Sequence, residues 1–422
     1  MEENIHVRSY ETARQQYAEL GVDTDAVLEA MKHVPLSLHC WQGDDVGGFE
    51  TEDAELSGGG IQVTGNFPGK ARNPDELKAD IQKAFSLIPG THRVNLHAVY
   101  GEFGGRAVDR DQIEPEHFSS WADWAKEHTA GLDFNGTFFS HPKADSGYTL
   151  SSKDKGIRAF WIEHAKRCRS IGEYFGKELG TPTVLNLWVP DGSKDVPVDR
   201  MGFRAVLRQS LDDIFSQEIS PKYLKESIET KLFGIGSEAY VVGSHEFYLS
   251  YALQAGKMIC LDLGHFHPTE LIADKISSVL LFQDELLLHV SRPMRWDSDH
   301  IVVLNDDIYA LFQELVRCEV LNRVHIGLDF FDGSVNRIGA WVTGSRASLK
   351  ALLFAFLEPR KLLLEYEESG NYYARLALLE QLKSMPFGAV WDYYCLTSSA
   401  ATENKVIGEV LDYEHNVLRR RG

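Results

Sequence analysis

The sequence predicts a TIM (β/α)8 barrel, and three observations carry that prediction. Strand-like apolar runs recur eight times, helical patterns separate most of them, and groups able to bind divalent metals gather at the ends of the later runs. Strand–helix alternation implies a parallel sheet, eight strands close a barrel, and a barrel keeps its active site at the carboxyl ends of its strands. An open doubly wound sheet is the competing architecture, and a glycine-rich phosphate turn after the first strand would signal it. Instead the chain reads WQGDDVGGFE and then SGGGIQVTGNFPGKARN, with no GxGxxG.

The N-terminal helical segment spans residues 1–35, with Tyr10, Ala13, Tyr17, Leu20, Val27, Leu28 and Met31 at the apolar positions of residues 8–33. Gly21 and the aspartates at 23 and 25 signal a break and a new cap there. Strands are expected at Leu36–Trp41, Arg93–Tyr100, Leu132–Phe139, Thr183–Val189, Leu232–Ile235, Met258–Leu263, Leu286–Val290 and Val324–Phe330. Helices are expected at 74–88, 112–129, 154–179, 199–217, 245–256, 268–282 and 305–321. The connection between the first strand and its helix runs to roughly thirty residues, a length that is usually functional, and it is expected to form a lid over the barrel mouth. The catalytic barrel is assigned to 36–357. From about 335 onward the chain is helical, and the C-terminal helical extension, 358–422, exceeds what the barrel needs. Large apolar helices outside a finished fold pack on a neighbouring subunit, so oligomer contacts are expected there.

The length of 422 residues accommodates a barrel of ~250 residues plus these additions. Hydrophobic residues make up 43% and charged residues 25%, an ordinary soluble balance. No apolar run approaches the ~20 residues of a membrane span, and the polar start MEENIHVRSYETARQQ lacks a signal-peptide core. A cytoplasmic protein without a membrane partner is expected. The net charge of −19, from 62 acidic against 43 basic residues, repels phosphate backbones and argues against nucleic acid. Five scattered cysteines without a CxxC pair indicate neither a disulfide framework nor a thiolate zinc site.

The chemistry centres on Lys257 to His300. One apolar run delivers Asp262 and then His265; the next, LLLHV, delivers His289, and its loop carries Asp297 and Asp299. Any one of these alone reads as a cap, a turn or a satisfied core histidine. Their recurrence on neighbouring strands, together with Asp329 in HIGLDFFD and Glu229 in IETKLFGIG, favours a site. Asp297 and Asp299 lie two apart and point the same way in extended chain, where like charges repel unless a cation lies between them. Seven carboxylate and imidazole groups without a thiolate suit manganese, magnesium, cobalt or zinc. Seven exceed one site, so two metals sharing a carboxylate are expected. Lys231, two residues from Glu229, faces the same side and could neutralise a developing oxyanion.

The set Glu229-x-Lys231, Asp262-x-x-His265, His289, Asp297-x-Asp299 and Asp329 resembles the ligand pattern of the metal-dependent aldose–ketose isomerases. It departs from xylose isomerase at Asp262, where that family has Glu, and at His289, where it has Asp. Both departures fit the L-rhamnose isomerase family. The resemblance extends along nearly the whole chain through LHCWQGDDVGGFE, TGNFPGKARN, NLHAVYGE, KLFGIGSE, LDLGHFHPTE, LLHVSRPMRWDSDH and HIGLDFFD.

That resemblance implies a structural metal on Glu229, Asp262, His289 and Asp329, and a catalytic metal on His265, Asp297 and Asp299, with Asp262 reaching toward both. It implies catalytic roles for Lys231, Asp297 and His265. The implied reaction is reversible conversion of L-rhamnose to L-rhamnulose in rhamnose catabolism, by metal-assisted hydrogen transfer from C2 to C1. Hydride shift and enediol routes both stay open. Manganese is the implied metal, with zinc, cobalt or magnesium as alternatives at one of the two sites, and the implied assembly is a homotetramer. By similarity Val46, Leu56, Val99 and Tyr100 would wall the C6 methyl, and His97, Trp188, Asp191 and Trp296 would lie near the sugar. An isomerase of another aldose, a metal-dependent hydrolase on the same barrel and a sugar-binding protein without catalysis are the alternatives.

Overall fold

Eight parallel strands close into a barrel in the computed structural model, which describes residues 2–50, 65–128, 130–231, 239–294 and 297–421. The strands are β1 (Leu36–His39), β2 (His92–His97), β3 (Gly131–Asn135), β4 (Thr183–Leu187), β6 (Leu224–Glu229), β8 (Met258–Asp262), β9 (Leu286–Val290) and β10 (Val324–Leu328). They follow one another around the ring in chain order, and Ser37 pairs with Gly327 to close it. Two short strands, β5 (Gly192–Ser193) and β7 (Tyr240–Val241), pair antiparallel outside the ring.

Alternation along each strand divides the barrel wall. Outward residues such as Leu38, Val94, Phe134, Leu185, Ile228, Leu261, Leu288 and Leu328 join one apolar core shared with the surrounding helices. Those helices include α3 (Pro74–Phe85), α4 (Ser119–Glu127), α5 (Lys155–Leu179), α6 (Arg200–Phe215), α7 (His245–Ala255), α8 (Ala273–Leu280), α9 (Asp306–Arg317) and α10 (Arg337–Phe356). Short polar side chains start many of them: Asn73, Asp154, Asn305 and Asn336 each accept a backbone N–H of the first turn. The inward residues are different. Ser37, His39, Asn95, His97, Asp133, Asn135, Asn186, Ser227, Glu229, Asp262 and His289 are all buried and polar. Among the described residues, Val184, Met258, Cys260 and Leu287 form a small apolar cluster apart from the main core. Most barrels fill this space with branched aliphatic residues; here polar groups replace them. At the amino-terminal end, Arg93 and Asp133 pair at 2.7 Å and Ser37 Oγ donates to the same carboxylate at 2.7 Å.

The fifth barrel strand corrects the expectation from sequence. It runs Leu224–Glu229, not Leu232–Ile235, and residues 232–238 lie outside the described residues. The strand LKESIE lacks an apolar run because its outward Glu226 is buried in ion pairs with Arg169 of α5 and Lys257. Glu229 therefore ends its strand instead of preceding it. Smaller differences have local causes. Arg110–Gln112 and Pro115–Phe118 form short 3-10 turns before α4 begins, and α8 is shorter than the expected 268–282. The N-terminal segment divides into α1 (Glu2–Glu19) and α2 (Thr24–Lys32), with Asp23 capping the second.

After the barrel come α11 (Arg360–Glu368), α12 (Tyr372–Leu382), α13 (Phe387–Thr397) and α14 (Glu403–Asn416). They return to the barrel's flank: Tyr393 stacks on Tyr10 of α1 with ring centroids 3.9 Å apart, and Arg421 makes a buried ion pair with Asp80 of α3. Another buried arginine, Arg337, holds the start of the long connection after β1. Its guanidinium bonds Asp45 through Nε and Nη2 at 2.7–3.0 Å, and Nη1 donates to the carbonyls of Phe67 and Pro68. Removing one partner of a buried pair costs roughly 3–5 kcal/mol. Arg337→Met should therefore lower the melting temperature by several degrees, and Arg337→Lys should recover little of it, because an ammonium cannot reproduce the planar fork. Thermal unfolding of both variants checks this.

Candidate metal centre

The carboxyl ends of β6, β8, β9 and β10 lie side by side, and each delivers one inward ligand group. Glu229 and Asp262 are the last residues of β6 and β8, His289 stands next to last in β9, and Asp329 follows β10. Strand register sets Asp262 beside His289, and His289 beside Gly327. Nδ1 of His289 lies 3.4 Å from Glu229 Oε2, 3.8 Å from Asp262 Oδ2 and 3.1 Å from Asp329 Oδ2. These four residues offer donor atoms that all lie within 4.8 Å of one another. Asp262, His265 and Asp297 form a second such group, and Asp262 belongs to both.

Two glycines make the approach possible. A Cβ on Gly264 would fall 2.6 Å from Asp297 Oδ1 and 3.1 Å from Asp262 Oδ1, so the turn between the two groups excludes any side chain. Its N–H donates to Asp262 Oδ1 at 2.6 Å. A Cβ on Gly327 would press within 3.3 Å of the His289 ring.

Burial and crowding set the charges. Burial, with Asp329, Glu229 and Asp297 nearby and only His265 opposing, raises Asp262 well above the usual carboxylate range. Asp299 rises in the same way, through burial and then Asp297, Asp262 and Asp329. Burial also works against charge on the imidazoles, but the surrounding anions win. His265 is raised to about 9 by Asp262 and Asp297 against burial and Lys231, and His289 is raised well above its ordinary value. Glu229 is lowered despite burial, chiefly by His289, and Asp297 is lowered despite burial by Lys231 and His265. The centre is thus a crowd of carboxyl groups that cannot all carry charge unless positive charge is brought among them. Asp262 Oδ2, His265 Nδ1, Asp297 Oδ1 and both ring nitrogens of His289 are buried without a hydrogen-bond partner. Buried polar atoms are almost always bonded. Cys260 also lies within reach of Glu229 and His289, but burial pushes its thiol up, and the unbonded carboxylate and imidazole atoms of these two groups fit divalent cations.

Beside the two imidazoles, Lys231 brings a fixed positive charge to the centre. It is buried, pairs with Asp297, and sets Nζ 3.3 Å from His265 Nε2 and 5.0 Å from the centroid of the Trp188 ring. Burial disfavours its charge, but Asp297 outweighs that and raises it above its ordinary value.

The other residues singled out in the sequence divide. His97 lies in the lumen, its Nδ1 3.1 Å from Thr137 Oγ1 and its ring edge-on to Trp41 and Phe139. Val46, at φ +60°, and Val99 are buried. Tyr100 is also buried, but its hydroxyl donates to Asp44 Oδ1 at 2.6 Å, so that end is engaged. Asp191 accepts four hydrogen bonds from Thr149 and Ser151 and serves to hold that loop. Asp299, at φ +40°, stands outside both four-residue and three-residue groups, although its carboxyl feels their charge. Leu56 and Trp296 lie outside the described residues.

Two of the lumen residues that the sequence reading does not single out lie near the centre. His39 is buried with neither ring nitrogen bonded, packs edge-on against Phe330 at 4.5 Å, and is held to about 3 by burial. Asn186 donates to Glu229 Oε2 at 2.5 Å. Each was legible only as a polar residue at an inward position of an apolar strand, LSLH and TVLNL.

Comparison with known proteins places the chain in a family. The family model described as L-rhamnose isomerase (RhaA) matches residues 4–421. The L-rhamnose isomerase of Bacteroides thetaiotaomicron is 56% identical over 419 residues, covering 99% of each chain. That of Pectobacterium carotovorum is 54% identical over 413 residues, 98% of each, and that of Escherichia coli O9:H4 is 52% identical over 415 residues, 98% of this chain and 99% of its own. Matched from end to end, the chain belongs to the L-rhamnose isomerase family.

Proposed function

We propose that the protein is an L-rhamnose isomerase that interconverts L-rhamnose and L-rhamnulose with two divalent metals, manganese by preference, as a cytoplasmic homotetramer. The observation that carries the reading is the pair of donor groups sharing Asp262 at the carboxyl end of the barrel. Family membership and end-to-end similarity to named L-rhamnose isomerases support it. Glu229, Asp262, His289 and Asp329 would hold the anchoring metal. His265 and Asp297, with Asp262 and the nearby Asp299, would hold the catalytic one. Divalent cations bound there supply Lewis acidity to the O1 and O2 oxygens of the open-chain sugar.

The chain's own groups do the rest. Lys231 remains charged beside Asp297 and stabilises negative charge developing on O1. Trp188, with Lys231 over its face, and the edge-packed Trp41 and His97 present aromatic surface to the carbon face of the sugar. Val46, Val99 and the ring of Tyr100 form the apolar wall for the C6 methyl. The polar lumen beneath keeps the ligand carboxylates oriented toward the mouth.

Exhaustive dialysis against a chelator should abolish isomerisation, and added manganese should restore it. Full turnover in a sample shown to be metal-free by elemental analysis would overturn the reading. L-mannose, which adds a C6 hydroxyl, should react with kcat/KM lower by about 5- to 10-fold, since a buried methyl contributes about 1 kcal/mol. Equal values for the two sugars would remove the apolar wall from the account. His265→Asn should release one metal and stop turnover with little change in melting temperature, because His265 sits beyond its strand. Glu229→Ala should also lower the melting temperature, because it unties a group drawn from four strands. Metal content, initial rates and thermal melts of both variants distinguish these outcomes.

A further inference from the structure

Three carboxylates of the centre each take one hydrogen bond from a group that is not itself a ligand, and the three donors differ in kind. Asp297 takes the Lys231 ammonium, Asp262 takes the Gly264 backbone N–H, and Glu229 takes the side-chain amide of Asn186. Among the described residues, Asn186 is the only such donor to either oxygen of Glu229. Its amide is buried on β4, between Leu185 and Leu187, which face the helices.

Glu229 has an ambiguity that this bond resolves. Its Oε2 lies 3.4 Å from Nδ1 of His289, in the first donor group, while Oε1 lies 3.2 Å from Nδ1 of His265, in the second. The terminal torsion of a glutamate is broad and nearly two-fold, so nothing intrinsic fixes which way the carboxylate turns. Asn186 holds Oε2 on the His289 side. It does so without adding charge, whereas a lysine or arginine there would compete with a cation.

We infer that Asn186 is a positioning residue that sets the metal affinity of the Glu229–Asp262–His289–Asp329 group by fixing the Glu229 carboxylate, and that it leaves the Asp262–His265–Asp297 group largely unaffected. The inference rests on the reading that these groups bind divalent metal. Groups that orient metal ligands from outside typically change affinity by about 10- to 100-fold when removed.

The test is manganese binding to the demetallated full-length protein, followed through free Mn2+ by electron paramagnetic resonance, for the native chain, Asn186→Leu and Asn186→Ser. Leucine keeps the volume and removes the donor; serine shortens the side chain out of reach of Glu229. Both variants should weaken one of two manganese sites by about 10- to 100-fold and leave the other within about 3-fold, with the melting temperature of the metal-free protein little changed. Unchanged affinity at both sites would overturn the inference. So would equal weakening at both sites accompanied by a fall in the metal-free melting temperature, which would mark a general packing role. If Asn186→Leu fails to fold, Asn186→Ser decides. A native chain that binds no manganese would overturn the metal reading itself, a result distinct from native binding that the variants leave unchanged.

Discussion

Repulsion among carboxylates at one end of the barrel is the constraint on which the structure turns. Glu229, Asp262, Asp297, Asp299 and Asp329 converge at buried or half-buried positions, and among the described residues Lys231, His265 and His289 offset them. Like charges this close cannot all ionise without a compensating cation, which is why burial and mutual repulsion push Asp262 and Asp299 upward together. A cluster that disfavours itself persists only on a scaffold rigid enough to hold it. Parallel strands in register provide that scaffold for Glu229 and Asp262, which leave from backbone fixed by pairing with a neighbouring strand.

The same constraint reaches further down the lumen. An apolar interior would leave the ligand carboxylates without partners on their protein side. Instead the inward positions carry Asn95, Asn135, Asn186 and Ser227, and Asn135 donates to Asn95 at 3.0 Å as Asn186 donates to Glu229. The apolar packing that stabilises the fold is displaced to the outer face of the strands and to the helices around them. Separating the two tasks lets the barrel carry a polar centre while its hydrophobic core stays continuous.

Much of this was legible in the sequence, for physical reasons. Strands such as MICLD and LLLHV are buried on both faces or interrupted by a single imidazole, so apolar runs mark them and the inward polar residue stands out. The fifth strand was misplaced because LKESIE does not look buried. Its outward Glu226 is neutralised by Arg169 and Lys257, which lie 57 and 31 residues away in the chain, and no local pattern reports such a pairing. Asn186 and His39 were overlooked for a related reason: one asparagine or histidine in a strand acquires meaning only when the neighbouring strand shows what it faces. Asp299 is reached from the sequence through its two-residue spacing from Asp297; with φ +40° the chain turns there, so the charges of Asp297, Asp262 and Asp329, and not extended geometry, tie its carboxyl to the centre.

The two donor groups share Asp262 but differ in what stands behind them. The first is backed by a neutral amide, Asn186, and drawn from four strand ends. The second takes His265 and Asp297 from loops and is backed by the fixed positive charge of Lys231, which already offsets one of its carboxylates. By Coulomb's law a cation in the second group meets both Lys231 and any cation held a shared carboxylate away, whereas a cation in the first meets more negative charge and less opposing charge. On the proposed reading this makes the first group the tighter holder and the second the one whose positive charge is least neutralised by protein. Charge of that kind, incompletely balanced by the protein, is what a sugar oxygen gaining negative charge would be drawn to. The position of Lys231 thus connects the asymmetry of the two groups to the place where the chemistry would occur.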